Sequence, residues 1–165
     1  MHGDLWLSGW SIAPKNGDPA TRAPAVAWHL TTAPIGPAAV RVTALERSFG
    51  DDVRTDRLWR FTPNLQLHEF EALLLAEPDA FSSFYPERNA GITALKQDIG
   101  TLAPEDVNEG RETAPSKRII QHIPEYDGAK VVAGTLVAAT IGLSTLCAQC
   151  PHFDAWITEL EQRTS

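Results

Sequence analysis

The sequence has little of what most recognisable function classes require. It contains two cysteines in 165 residues, too few for a disulfide framework. No charged-then-apolar leader and no long uncharged apolar run signals secretion or membrane insertion. The expected compartment is therefore the cytoplasm. Basic residues are outnumbered, with 14 Lys and Arg against 21 Asp and Glu, a formal net charge of -7 and a pI near 5.1. Phosphate backbones are held by clustered cations, so general electrostatic binding of nucleic acid is disfavoured and only a local basic site stays open. The chain also lacks a Gly-rich phosphate loop, a dinucleotide fingerprint, a serine nucleophile elbow and an internal repeat. Cys147 and Cys150 with His152 have metal-like spacing, but zinc needs four ligands and no second Cys/His pair lies nearby. Pro151, between Cys150 and His152, also breaks the haem-attachment pattern. Structural thiols are expected, without zinc or haem.

What is present fits one domain: 43% hydrophobic and 21% charged residues fall in the ordinary globular range. Residues 1–37 stand apart. They carry Trp6, Trp10 and Trp28 among Pro14, Pro19, Pro24, Pro34 and Pro37, with no sustained period of 2 or 3.6. Proline removes a backbone donor and biases its predecessor away from helix. An irregular N-terminal arm is one reading, and a non-native start from a truncated or misread gene is the other.

From residue 38 the pattern sharpens. Val40, Val42, Leu45 and Phe49 predict a helix ending at Gly50. Residues 58–67 read as a strand, with Pro63 at an edge or bulge. Helix is predicted over 67–76, then in a short piece over 80–85, and over 89–99 with Gly100 as its stop. A helical turn is expected at 104–110. Pro115 opens a helix over 116–123, because its missing N–H would have no helical partner there. Residues 131–143 read as a buried helix packed closely through Gly134 and Gly142. A short helix over 144–149 and a final one over 151–162, with Phe153, Trp156, Ile157 and Leu160 inward, complete the chain.

Chemistry concentrates at the strand-to-helix passage. His68 and Glu71 are three residues apart and share a helix face, with Glu69 about a quarter-turn from His68. At the C-terminal end of a strand, where open α/β sheets build their sites, such acids could bind a hard divalent ion such as magnesium. A surface glutamate beside a structural histidine explains the same residues. Lys117 and Arg118 follow Pro115, where first-turn N–H groups and two cations could hold a phosphate; a capped helix with solvated cations is the plainer reading.

The blocks Gln66-Leu-His-Glu-Phe-Glu-Ala-Leu-Leu74, Glu112-Thr-Ala-Pro-Ser-Lys-Arg118, Ile141-Gly-Leu143 and Cys150-Pro-His-Phe-Asp-Ala-Trp156 together resemble the domain-of-unknown-function family 4276 over residues 38–161. The resemblance implies a TOPRIM-like, Rossmann-like α/β fold, and a bacterial mobile-element or phage-defence locus with an ATPase encoded beside the gene. In TOPRIM-type enzymes, acids from separate strand ends hold magnesium for DNA cleavage. Carried over to this chain, Glu71 becomes the metal ligand and catalytic candidate, with Glu69 and His68 next and Lys117 and Arg118 as phosphate contacts.

Members of that family begin with a strand, a Val-Glu-Gly-type turn bearing another acid, and a second strand ending in aspartate. Residues 1–37 contain neither element. The resemblance therefore implies the helix-rich C-terminal portion of the domain, inactive by itself, derived from a magnesium-dependent nuclease. A non-catalytic partner of the ATPase, with structural acids and an apolar C-terminal interface, is the competing expectation. A degenerate gene product is a third.

Overall fold

A computed structural model of the chain describes residues 37–52, 61–107 and 113–164. Its helices are α1 (Ala38–Asp52), α2 (Glu71–Leu74), α3 (Asn89–Ile99), α4 (Pro115–His122), α5 (Lys130–Ile141), α6 (Leu143–Gln149) and α7 (Pro151–Thr164). Between them run 3-10 turns at Pro78–Ser83, Pro86–Arg88, Pro104–Asp106 and Pro124–Tyr126. Each turn opens on a proline, whose fixed φ suits a first turn and whose absent N–H leaves no donor unpaired there.

The described residues are helical and contain no strand, which overturns the α/β, Rossmann-like expectation. Residues 58–60 of the expected strand lie outside the described residues, and 61–67 form an irregular segment. The physical reason is local. A strand needs a neighbouring ladder, Pro63 has no N–H to offer one, and the Leu65 N–H donates instead to the Glu46 carboxylate of α1 at 2.7 Å. The alternation of 61–67 is real, but a side chain satisfies the backbone where a second strand would have.

Three helix predictions also change. α1 runs through Gly50 to Asp52 and Gly50 has no positive φ, unlike Gly100, which ends α3 at φ 63° as expected. The helix expected over 67–76 shrinks to four residues because His68 sits at φ 62°, a left-handed conformation that a helix cannot pass through. The segment 131–143 is not buried all round. Ala133, Gly134, Val137 and Ile141 are buried, whereas Val131 is 84% exposed, Val132 66%, Leu136 46% and Leu143 52%.

The central core collects Leu74, Phe81, Leu95, Val107, Ile119, Ile123, Tyr126 and Val137, each essentially inaccessible. Phe81 meets Tyr126 edge-on with ring centroids 5.7 Å apart, a favourable aromatic arrangement. α2 packs against α5, α4 and the 104–106 turn, while α3 lies on α4 and the 78–83 turn. Gly134 makes the α2–α5 approach possible: a Cβ there would lie 2.9 Å from the Tyr126 hydroxyl and 3.4 Å from Phe70. At the α3–α4 crossing, a Cβ on Gly91 would lie 2.2 Å from the His122 carbonyl oxygen, so no larger residue fits that backbone.

α1 is attached differently. Val42, Leu45 and Leu67 are buried but stand outside the central cluster, and Phe49 packs edge-on against Phe61 at 5.3 Å. Among the described residues no single helix is long and apolar enough to cross a membrane.

Candidate functional site

The acids around α2 are placed by the kink at His68. Its positive φ turns the chain so that Glu69 reaches away from α2, and the Glu69 Oε2 accepts the Ser116 N–H at 2.9 Å. Ser116 is the second residue of α4, and the residue before Pro115 is alanine, which cannot cap a helix with its side chain. Lys117 and Arg118 donate their N–H groups to the Ala114 carbonyl at 2.9 and 3.1 Å. The first turn of α4, where the sequence suggested a phosphate, thus has its proline without a donor and its next three N–H groups engaged inside the protein.

Glu71 opens α2 and is half-buried. Burial pushes its carboxyl pKa above the ordinary range, and the nearby Glu69 adds to this, while Lys130 and a bond from Tyr126 oppose it. The Tyr126 hydroxyl lies 3.5 Å from Glu71 Oε1, and burial, then Glu71, push that phenol's pKa upward too. The charged form of Glu71 is therefore disfavoured where it stands. His68 is held through its ring by the Glu105 backbone; burial lowers its pKa, against the raising effects of that bond and of Asp106.

The cations do not converge with these acids. Arg118 pairs with Asp98 at 2.8 Å and donates through Nε to the Thr113 carbonyl, fixing α4 to α3, and Asp98 also faces His122 at 3.4 Å. Lys117 is exposed. Glu112, which begins that sequence block, lies outside the described residues. The structure therefore turns Glu69 onto α4 and Glu71 toward Tyr126, within electrostatic reach of one another, and leaves Lys117 and Arg118 serving other contacts or solvent. Among the described residues no group of three His, Cys, Asp or Glu side chains could hold a metal ion. A depression of about 400 Å³ lies along Ala39, Val40, Thr43, Ala44 and Arg47 of α1, and its lining includes none of the candidate acids.

A second acidic centre escaped the sequence reading. Glu105 is 5% exposed, and its two carboxylate oxygens accept the N–H groups of His152 at 2.9 Å and Phe153 at 3.0 Å. These are the second and third residues of α7, which also starts on a proline and is preceded by Cys150, again no side-chain cap. His152 Nε2 lies 3.1 Å from Glu46 Oε1. That bond, above all, raises the His152 pKa, against the lowering effect of burial. The sequence signalled the need and not the residue: two helices opening on Pro with no Ser, Thr, Asp or Asn before them need a remote acceptor, but nothing local points to Glu105. Both cysteines are free. Burial pushes the Cys150 thiol up to about 12, and burial followed by a bond to Asp154 raises Cys147, so neither is disposed to be a thiolate ligand or nucleophile.

Comparison with known proteins adds one assignment. No curated protein and no solved structure matches the chain. The family model for a domain of unknown function (DUF4276) matches residues 23–161, which is most of the sequence and spans α1 to nearly the end of α7. On that match the chain belongs to the DUF4276 family.

Proposed function

We propose that this domain acts as a protein-interaction module, and that its docking surface is the outer face of α5. The observation that carries the reading is the exposure of Val131, Val132 and Leu136 on a helix whose opposite face, with Ala133, Gly134, Val137 and Ile141, is buried. Val132, Leu136 and Ala139 are spaced four and three residues apart on α5, the period that lays apolar side chains along one seam for a partner helix or apolar groove. Single exposed apolar residues are ordinary, whereas a contiguous patch marks an interaction site. A cytoplasmic ATPase encoded beside the gene is the partner the family resemblance implies. The test is co-purification of the two proteins with and without the paired substitutions Val132→Asp and Leu136→Asp. Both positions are exposed, so unfolding stability is expected to stay within about 0.5 kcal/mol while the complex is lost. An undiminished complex with the doubly substituted chain removes the assignment.

The alternative, magnesium-dependent phosphodiester hydrolysis with Glu71 as ligand, draws on the electrostatic coupling of Glu71 with Glu69, since a divalent cation would relieve two neighbouring carboxylates. The described residues supply no third donor, so no hydrolytic step is derived through that ion. Calorimetric titration of magnesium distinguishes the readings: saturable binding abolished by Glu71→Gln would replace the interaction module with a metal site.

A further inference from the structure

The cluster of Glu46, His152 and Glu105 serves neither proposed site, and it sits where α1 and residues 61–67 meet the helical body. Glu46 Oε1 accepts two hydrogen bonds, from the Leu65 N–H at 2.7 Å and from His152 Nε2 at 3.1 Å. One carboxylate oxygen thus ties α1 to both the 61–67 segment and α7. Both side chains of the pair are largely shielded, with 16% of His152 and 15% of Glu46 exposed. The apolar support for this junction is thin: Val42, Leu45 and Leu67 are buried outside the central core cluster.

We propose that this cluster is a proton-dependent latch, in which α1 and residues 61–67 are held on the body while His152 is protonated and loosen when it loses its proton. The groups facing the imidazole all favour the cation: Glu46 from α1, the Glu105 carboxylate from the 104–106 turn and the Leu65 backbone from the 61–67 segment. Burial opposes them and is outweighed, leaving the His152 pKa raised. A histidine whose pKa is higher folded than unfolded contributes stability that is fully present below about 6.5 and is lost as pH rises through the folded value. Groups one layer out do not mimic this. His68, beside Arg41, Asp106 and the Glu105 backbone, has its pKa shifted the opposite way, lowered above all by burial. The thiols of Cys147 and Cys150, on and just beyond α6, are raised above their ordinary value.

The test uses the full chain, following the His152 ring by NMR titration and amide exchange in α1 and α3 from about pH 6 to about pH 9. Once the intrinsic pH dependence of exchange is divided out, opening of α1 is expected to rise about tenfold, the scale of a lost hydrogen bond to a charged group. Opening of α3 should stay flat. Glu46→Gln keeps an acceptor for the Leu65 N–H but removes the charge, so α1 in that variant should open at low pH as readily as the parent does at high pH. A folded His152 titrating at or below the ordinary histidine value overturns the latch. So does α1 opening that ignores pH, or α1 and α3 opening in step. If Glu46→Gln does not fold, the parent's ring titration and exchange profiles decide between the same outcomes.

Discussion

α4 and α7 solve one problem with one device, but at different strengths. Each starts on a proline, each follows a residue that cannot cap it, and each receives a glutamate from far along the chain. At α7 both oxygens of Glu105 are engaged, on His152 and Phe153, and the carboxylate is buried. At α4 a single oxygen of Glu69 takes the Ser116 N–H, and the residue is half-buried. A carboxylate at a helix N-terminus is favoured by both the free N–H groups and the macrodipole. The comparison teaches that an acid within a family motif has a sufficient structural reason to be there before any catalytic one is invoked.

The largest expected effect comes from breaking the stronger cap. Glu105→Ala leaves two partly buried N–H groups without an acceptor, each costing about 1–3 kcal/mol. Urea denaturation should show a loss of roughly 3 kcal/mol, and a loss below about 1 kcal/mol would erase the distinction between the two starts. Glu69→Ala removes one bond where Glu105→Ala removes two, and should cost about 1 kcal/mol in the same measurement. A smaller effect of opposite sign is expected at Glu71. A carboxyl whose pKa is raised by folding contributes stability below its unfolded pKa and loses it as pH climbs through the folded value. Glu71→Gln, which stays neutral, should therefore be slightly stabilising at neutral pH, by less than about 1 kcal/mol, with the gain disappearing in acid. A destabilised Glu71→Gln protein at neutral pH would mean that the charge at this position is wanted, and would strengthen the metal reading over the structural one.

Local chemistry made part of this legible in advance. The 89–99 helix with its glycine stop and the proline-led start of α4 follow from propensities that act within a turn or two of chain. So does α7, whose Phe153, Trp156, Ile157 and Leu160 are all at least partly buried. The strand was misread because alternation in 61–67 records side-chain period and not the partner for the backbone, and that partner is Glu46. α5 was misread for a related reason. A helix apolar on every side reads as buried, yet only one of its faces found a core, and the other remains on the surface.

The acids show the same division. His68, Glu69 and Glu71 were visible as a cluster, but their consecutive spacing assumed an unbroken helix, and the positive φ of His68 sends Glu69 to one neighbour and leaves Glu71 beside another. Glu105 carried no local mark, since a lone glutamate after a proline is ordinary surface sequence. It became conspicuous only when α7 was seen to lack a cap.

What the sequence alone determined is therefore what short-range forces dictate: where prolines open turns, where glycine stops α3, which faces are apolar, and that its motifs are those of the DUF4276 family. The tertiary structure decided which backbone donors each carboxylate satisfies, which side of α5 is covered, and how the proton on His152 bears on the hold between α1 and the body. Those outcomes depend on residues about fifty to a hundred positions apart meeting at hydrogen-bond distance, and no local pattern encodes which pairs will meet.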